Sequence, residues 1–316
     1  MSKIGLVGFG EVGIETAKVL VQDSAMTYDI IAFDRKEAIE KVPGLLKGNY
    51  EDILDGIGVL GHGHTLTLTD KLEDLADSDA IIFSAGRPRT ADMSRADLIG
   101  VNVPIVGGIC KKLKDICPDA FVIMVANPLD SMVELAYREL KCSPEQIVGQ
   151  AGVLDTGRFR IQASLATGET CTKVDTIVLG GHGPTMVPVH SHARVSYKPL
   201  KDWISAEKIK EITDSVKDRG RYIISQKGHS STFSTAIACM KMLKAYLADT
   251  KEIMACCTRL QGEYGHKNVF AGVPTEISKK GVKPVEIVLS NDEKAALDKS
   301  VSAVREEIAE LDHLTK

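Results

Sequence analysis

Short apolar runs alternate with amphipathic stretches through the first half of the chain. The runs KIGLVGF, DIIAFD, AIIFSAG and AFVIMVANP show no two-residue alternation of apolar and polar positions. This pattern is typical of parallel strands that are covered on both faces. Between them, EVGIETAKVLVQ and NVPIVGGICKKLKDIC repeat apolar positions at helical spacing. The succession of strand and helix predicts an α/β fold with a doubly wound parallel sheet.

The second half of the chain has a different pattern. Apolar runs that resemble strands, TKVDTIVLGG, VFAGVPTEI and KPVEIVLS, are separated by long helical stretches such as SAEKIKEITDSVKDRGRYIIS and SNDEKAALDKSVSAVREEIAEL. This mixture predicts a second domain of the α+β type. The boundary is expected after the helical segment SMVELAYRELK, which gives a first domain at residues 1–145 and a second at residues 146–316.

The composition narrows the class of protein. Hydrophobic residues make up 44% and charged residues 26% of the 316 residues, the balance of a globular protein. A net charge of −4 gives no basic surface for nucleic acid, so an anionic ligand must be held by a few local arginines. No apolar run is long enough to cross a membrane. We therefore expect neither nucleic acid nor a membrane as a partner.

The cysteines and the N-terminus indicate the compartment. Seven cysteines are scattered along the chain without any CxxC spacing, which favours free thiols over disulfides or a zinc site. The first residues, MSKIGLVGFG, enter a strand directly and show no secretory signal. The expectation is a cytoplasmic protein without a bound metal.

A glycine-rich turn follows the first predicted strand. Gly8, Gly10 and Gly13 form a GxGxxG motif that leads into a helix, and Asp34 ends the next strand. In a Rossmann domain such a turn lets the backbone approach a pyrophosphate, and the acidic residue binds the adenosine ribose. The carboxylate favours NAD over NADP, although Arg35 beside it could tolerate a 2′-phosphate. The sequence predicts NAD as the cofactor.

Other predicted strand ends belong to the same edge of the sheet. Ala85 and Gly86 close one strand and Asn127 closes another, with Val125 just before it. Ligands of doubly wound sheets lie outside the carboxyl ends of the strands. These residues, together with Asn102, are predicted to line the cofactor cleft, although Asn127-Pro128 could equally be a simple turn.

Hydride transfer between a nicotinamide and a small 2-hydroxy acid needs a proton carrier, and histidine has a suitable pKa. His182 follows a predicted strand and has glycines on both sides. Asp155 and Arg158 lie three residues apart, on one face of a helix. A carboxylate can orient the imidazole, and a guanidinium can bind a carboxylate through two hydrogen bonds.

A polar segment, SAGRPRTADMSRADLIGVN, follows the third predicted strand. It contains Arg87, Arg89 and Arg95 and a proline, and it leaves the sheet at the edge where ligands bind. Such a segment is typical of a loop that closes over a cleft. The alternative is an ordinary solvated loop.

Taken together, these motifs resemble the lactate/malate dehydrogenase family. GFGEVG, AGRPRTADMSR, VANPLD, GVLDTGRFR, GGHG and YGHKNVFAGVPTEI extend the resemblance over nearly the whole chain. The resemblance implies that His182 is the acid/base and Asp155 its partner. It also implies that Arg158, Arg95, Asn127 and Ser231 hold the substrate.

Arg89 bears on the choice of substrate. By resemblance it occupies the loop position where malate-specific members carry arginine and lactate-specific members carry glutamine. An arginine can pair with the second carboxylate of oxaloacetate, and pyruvate would leave it unpaired. Within the family, the motifs most resemble the malate-specific branch nearest to the lactate enzymes. This resemblance implies a homo-oligomer, either a tetramer or a dimer. It also implies a role in the tricarboxylic acid cycle.

The chain departs from the family pattern in places. Thr90-Ala91-Asp92 replaces a Lys-Pro-Gly-like turn, Arg87 stands where an apolar residue is usual, and Pro184 replaces an aspartate. Two alternatives stay open: a dehydrogenase of lactate or another 2-hydroxy acid, and a protein that binds NAD without turnover. The histidine pairs His62 and His64, and His190 and His192, are expected to have packing or surface roles.

Overall fold

The computed structural model describes residues 1–88 and 93–315. Within these ranges the largest sheet has nine strands in the order β14-β13-β12-β6-β5-β4-β1-β2-β3. The strands from β6 to β3 are parallel, and their order is that of a Rossmann domain. The strands of this parallel part are Ser2–Val7 (β1), Tyr28–Phe33 (β2), Thr65–Thr69 (β3), Ala80–Phe83 (β4), Phe121–Met124 (β5) and Ile147–Gly149 (β6).

Helices cover both faces of the parallel part, as its continuous apolar strands predict. Ile4 and Ile30 point into a core shared with helices Glu11–Leu20 (α1), Leu45–Leu60 (α3) and Phe233–Leu247 (α8). Val7 and Ile31 point into a core shared with helices Arg95–Ile116 (α4) and Leu129–Leu140 (α5). The helices of the first half are Glu11–Leu20 (α1), Lys36–Ile39 (α2), Leu45–Leu60 (α3), Arg95–Ile116 (α4) and Leu129–Leu140 (α5).

The second half adds antiparallel strands to the same sheet. Long strands β12 and β13 form a ladder, and β12 meets β6 through the pair Cys257 and Gly149. Smaller strands form a three-stranded sheet and a two-stranded sheet. The strands are Val174–Asp175 (β7), Val178–Leu179 (β8), Val187–Pro188 (β9), Arg194–Val195 (β10), Lys198–Pro199 (β11), Glu252–Gln261 (β12), Lys267–Ser278 (β13) and Gly281–Pro284 (β14). The helices are Ala151–Thr167 (α6), Ala206–Lys227 (α7), Phe233–Leu247 (α8) and Asn291–Leu314 (α9).

The predicted fold class is confirmed, and the differences are local. The strand predicted for KPVEIVLS ends at Pro284. Val285 still donates to the Pro274 carbonyl at 2.7 Å, and after it the Ile287 N–H donates to the Tyr264 hydroxyl at 2.9 Å instead of to the ladder. Strand β12 was not predicted, and strand β6 begins just after the boundary proposed at residue 145.

The polar segment after β4 becomes helical earlier than the sequence pattern indicates. Helix α4 begins at Arg95, seven residues before the predicted start at Asn102. Ser94 explains the difference, because its hydroxyl accepts the Asp97 N–H at 3.1 Å while the Asp97 carboxylate accepts the Ser94 N–H at 3.0 Å. This reciprocal cap satisfies donors at the helix N-terminus. It fixes the backbone of Arg95 at the first position of helix α4.

Candidate active site

The glycine turn lies between β1 and α1. Gly8 has φ +95°, and a Cβ there would lie 2.6 Å from the Ala85 nitrogen; a Cβ on Gly13 would lie 2.0 Å from the Gly8 oxygen. Only glycine fits these two approaches. By contrast, no atom of the described residues lies within 4 Å of a Cβ position on Gly10, which caps α1 without a side-chain bond. The helix N-terminus therefore stays open for a phosphate.

Asp34 lies beside this turn, at the end of β2. Its Oδ2 accepts the Phe9 N–H at 2.8 Å, and its Oδ1 accepts the N–H of Arg35 at 2.8 Å. These bonds hold the half-buried carboxylate against the glycine turn. A carboxylate has about four acceptor sites, so further sites are available for ribose hydroxyls. The residues present fit a dinucleotide.

The predicted strand-end residues divide into exposed and buried groups. Gly86 and Asn127 are exposed, Ala85 is half-buried and Val125 is buried. The Ala85 N–H donates to the Val7 carbonyl at 2.8 Å, so the ends of β1 and β4 stay together. Gly86 and Asn127 are thus the residues of this group that offer surface to a ligand.

Asn102 has a different position from the one predicted. It is fully buried, and its Oδ1 accepts the Arg87 N–H at 2.7 Å. Its Nδ2 donates to the carbonyls of Arg87 and Asn127, at 3.1 and 2.6 Å. Because its amide is used in these bonds, Asn102 holds the loops after β4 and β5 together.

His182, Asp155 and Arg158 form a connected group. Asp155 lies on α6, and its Oδ2 is 2.8 Å from the Nδ1 of His182, which follows β8. The same carboxylate bonds to Arg158 Nη1 through Oδ1, at 3.0 Å. The side chain of Asp155 is 3% exposed and that of His182 is 24% exposed. The carboxylate lies against the Nδ1 edge of the imidazole, and the histidine side chain remains partly exposed.

The charges around His182 set its protonation. Burial alone lowers the pKa of this imidazole, but the adjacent Asp155 carboxylate outweighs burial and the pKa is raised. The Arg158 guanidinium opposes this effect, and Asp130 adds to it. A histidine in this setting can hold a proton near neutral pH and release it.

Arg158 and Ser231 meet beside this group. Arg158 Nη2 donates to the Ser231 hydroxyl at 3.2 Å, and the arginine side chain is 11% exposed. Its Nε is buried and has no hydrogen-bond partner among residues 1–88 and 93–315. A buried guanidinium with a spare donor is suited to an anionic ligand. Ser231, placed near the substrate by sequence resemblance, lies in contact with that guanidinium.

The three arginines of the polar segment have separate positions. Arg95 begins α4, and its Nη2 lies 3.0 Å from the Cβ position of Gly183, next to His182. Its Nη1 forms an ion pair with Glu307 on α9. Arg87 is exposed at the end of β4. Arg89, on which the predicted substrate depends, lies outside the described residues, as do Thr90, Ala91 and Asp92.

Comparison with known proteins agrees with this geometry. Residues 2–149 match the family model described as lactate/malate dehydrogenase, NAD binding domain, and residues 152–315 match the lactate/malate dehydrogenase, alpha/beta C-terminal domain. The chain belongs to the lactate/malate dehydrogenase family. It is therefore an NAD-dependent oxidoreductase, and the predicted family and cofactor are confirmed.

Individual relatives in the lactate/malate dehydrogenase family cover nearly the whole chain. Malate dehydrogenase of Pelagibacter ubique is 38% identical over 96% of this chain and 95% of its own. The crystal structure of Cryptosporidium parvum malate dehydrogenase has a TM-score of 0.92 and 34% identity, with 99% of each chain covered. The Cryptosporidium parvum lactate dehydrogenase bound to lactic acid and nicotinamide adenine dinucleotide also has a TM-score of 0.92, at 31% identity over 98% of each chain. Fold similarity alone does not distinguish the two substrates.

Two buried carboxylates near this site were not identified from the sequence. Asp130, on α5, is 3% exposed; its Oδ2 accepts the His182 N–H at 2.8 Å and its Oδ1 accepts the Cys257 thiol at 3.3 Å. Glu307, on α9, is 6% exposed. The available signal for Asp130 was an acidic residue in the first turn of a helix, directly after the strand-end segment VANPL. Glu307 lies among other acidic residues of a charged helix, which gave no signal.

The four histidines of the two sequence pairs have ring nitrogens in local contacts. His64 is buried, and its Nδ1 accepts the Tyr28 N–H at 3.2 Å. His62 contacts the Val21 carbonyl, His190 the Thr213 hydroxyl and His192 the Val288 carbonyl. In the part of the chain that the structure describes, no three His, Cys, Asp or Glu side chains are grouped to hold a metal ion. Over the same residues, no helix combines the length and the apolarity needed to cross a bilayer.

Proposed function

We propose that this chain interconverts (S)-malate and oxaloacetate, with NAD as the hydride carrier and His182 as the acid/base. The observation that carries the proposal is the connected group of His182, Asp155 and Arg158 in one partly buried site. A protein that bound NAD without turnover would have no need to retain this complete set of side chains. The relatives at 36–38% identity carry the name malate dehydrogenase.

The proton moves at one ring nitrogen of His182. Asp155 accepts a hydrogen bond from Nδ1, so Nε2 is the nitrogen that faces substrate. In the direction of reduction, Nε2 donates its proton to the ketone oxygen of oxaloacetate; in malate oxidation it takes the proton of the hydroxyl. NAD, when bound, supplies or accepts the hydride at the adjacent carbon. Gly8, Gly10 and Gly13 with Asp34 would hold the cofactor.

Basic side chains hold the dicarboxylate in the proposed mechanism. Arg158 binds the carboxylate next to the reacting carbon through its guanidinium, and Ser231 and Asn127 orient the same end of the substrate. Arg95 polarises the carbonyl as negative charge develops on its oxygen. Its position beside Gly183 supports this role. Arg89 binds the second carboxylate of the dicarboxylate.

The choice of malate over lactate depends on Arg89. Oxaloacetate has one more carboxylate than pyruvate, and burial of that charge without a cation would be costly. A dehydrogenase of lactate is the second candidate, because a lactate dehydrogenase shares the fold equally well. The relatives named malate dehydrogenase and the arginine itself favour oxaloacetate.

The test is a panel of two substrates and two cofactors. Oxaloacetate and pyruvate are each assayed with NADH and NADPH, and we expect oxaloacetate with NADH to have the highest kcat/KM. In the Arg89→Gln variant we expect the ratio of kcat/KM for oxaloacetate to that for pyruvate to fall by at least about tenfold, because loss of one charged hydrogen bond has that effect. Arg87→Gln, an exposed neighbour, is the matched control. An unchanged ratio in Arg89→Gln would exclude it as the determinant.

We also propose a homo-oligomer, a tetramer or a dimer, that acts in the tricarboxylic acid cycle in the cytoplasm. Exposed apolar side chains support association: Leu45 and Val59 on α3 are 52% and 87% exposed, and Leu165 on α6 is 70% exposed. Free cysteines among the described residues are compatible with a reducing compartment. Light scattering coupled to gel filtration measures the assembly, and a monomeric mass would refute this part of the proposal.

A further inference from the structure

Glu307 is a buried carboxylate that the proposed mechanism does not use. It lies on α9, its side chain is 8% exposed, and its Oε1 forms an ion pair with the Nη1 of Arg95. Its Oε2 is buried and has no hydrogen-bond partner in the ranges 1–88 and 93–315. A charged group in such a position is costly unless it is paired, so its ionised form depends on Arg95.

The contact also fixes the direction of the Arg95 side chain. While Nη1 meets Glu307, Nη2 lies 3.0 Å from the Cβ position of Gly183. Gly183 follows His182, so the guanidinium spans the distance between α9 and the loop that carries the acid/base. The Ser94 cap fixes the backbone at the other end of the side chain. The ion pair and the cap together therefore place the Arg95 guanidinium next to the residue that follows His182.

Four charged groups face Glu307 from the elements around it. They are Arg95 on α4, Asp130 on α5, His182 after β8 and Glu310 on α9 itself. Burial raises the pKa of Glu307, Asp130 and Glu310 add to the rise, and Arg95 and His182 oppose it; the result is a pKa of about 7. Glu307 thus changes charge in the pH range where the enzyme would work.

We propose that Glu307 is a positioning residue, which in its ionised form holds Arg95 beside His182 for action on the substrate carbonyl. The inference rests on the proposed function, because it assigns Arg95 the role given there. When Glu307 is protonated, the ion pair is lost and the guanidinium is released from α9. Glu307 itself touches neither substrate nor cofactor.

The test compares Glu307→Gln with wild type across pH. Glutamine keeps the shape of the side chain and removes its charge, so the variant resembles wild type with Glu307 protonated. We expect kcat for oxaloacetate reduction to be equal in the two proteins at about pH 5.5 and roughly tenfold lower in the variant at about pH 8.5. Tenfold is less than the 10²–10³ lost with a whole donor, since Arg95 is displaced and not removed. KM should change less than kcat, because Arg95 acts where charge develops in the transition state.

The controls separate positioning from stability. Glu306→Gln removes the same charge from an exposed position of α9, and we expect it to match wild type at every pH. NADH titration and thermal unfolding verify that Glu307→Gln is folded and binds cofactor. Glu307→Asp keeps the charge on a shorter side chain and should recover part of the loss at high pH.

Two outcomes would overturn the inference. A Glu307→Gln variant whose rate equals wild type at all pH values would mean that the ion pair has no effect on turnover. A variant that is faster at high pH would mean that Glu307 competes with substrate for Arg95. If wild type prefers pyruvate, the malate proposal fails, but the same ratio of variant to wild type measured with pyruvate still tests the role of Glu307.

Discussion

Asp155 offers the sharpest test of the proton-transfer group, through the variant Asp155→Asn. Its carboxylate bonds to His182 Nδ1 at 2.8 Å and to Arg158 Nη1 at 3.0 Å, with 3% of the side chain exposed. The substitution removes the negative charge that both His182 and Arg158 contact. Because the site is buried, little water is available to replace the lost interactions.

The expected loss follows from these two bonds. A hydrogen bond to a charged group contributes about 1.5–3 kcal/mol, so the weakened bond to His182 alone corresponds to a fall of about 10- to 10²-fold in kcat/KM. Asparagine can also present its NH₂ group to Nδ1, which would keep Nδ1 unprotonated, disfavour the charged imidazolium and increase the loss. The substitution also weakens the hydrogen bond that Arg158 makes to this side chain. The guanidinium should then hold the substrate carboxylate less firmly, and KM for oxaloacetate should rise.

The pH profile gives the direction of a second effect. The Asp155 carboxylate raises the pKa of His182 against the opposing effect of burial, so its removal lowers that pKa. Reduction of oxaloacetate needs protonated His182, and its rate is lost as pH rises through the pKa. We therefore expect the alkaline fall of kcat/KM to move to lower pH in Asp155→Asn. The assay is NADH consumption in steady state over a series of buffers.

An exposed pair in the same chain provides the control. Asp218 and Arg221 are also three residues apart on a helix and bond at 3.0 Å, but their side chains are 53% and 80% exposed. Asp218→Asn should leave the rate and its pH profile unchanged, since an exposed ion pair contributes little. If Asp155→Asn kept its alkaline limb at the wild-type pH, Asp155 would not be the group that sets the pKa of His182.

Two further predictions concern the acid/base and a helix cap. His182→Asn should abolish turnover because it removes the proton carrier, while NADH binding, monitored by fluorescence titration, should persist. A variant that turned over at the wild-type rate would exclude His182 from the mechanism. Glu293→Gln should lower the free energy of unfolding by up to about 3 kcal/mol at neutral pH. Burial alone raises the pKa of Glu293, but bonds from Ser191 and Ser290 outweigh it and lower the pKa to about 2. This stabilisation is present above the unfolded pKa and is lost as pH falls toward 2. In urea unfolding, the difference in stability between variant and wild type should therefore be smaller at about pH 3 than at neutral pH. An equal difference at the two pH values would contradict the assignment.

Local geometry explains which predictions the sequence supported well. In the turn from Gly8 to Gly13 the need for glycine at Gly13 is local, because a Cβ there would meet the Gly8 oxygen of the same turn. The close approach at Gly8 is to Ala85, which only the pairing of β1 with β4 brings near. The signal of apolar strands covered on both faces is local as well, since their lack of alternation is visible in the letters. The prediction of His182 as the acid/base came from the motifs GVLDTGRFR and GGHG taken together, and it stays a prediction.

The tertiary structure alters two other predictions made from the sequence. Asn102 was assigned to the cofactor cleft, yet it lies buried beneath two loops and bonds to their backbone. The start of α4 moved to Arg95 because of a cap whose strength depends on the reciprocal bonds of Ser94 and Asp97. In both cases the side chain acts on the site through the backbone it holds, and composition does not show that.

The sequence by itself determined the fold class, the family and the cofactor, because each depends on motifs whose residues are close together in the chain. Only the tertiary structure decided which carboxylates surround His182. Asp130 reaches its N–H from α5, and Glu307 reaches Arg95 from α9. Contacts between distant segments depend on the order of strands in the sheet and on the helices packed against it, and no local pattern encodes that order.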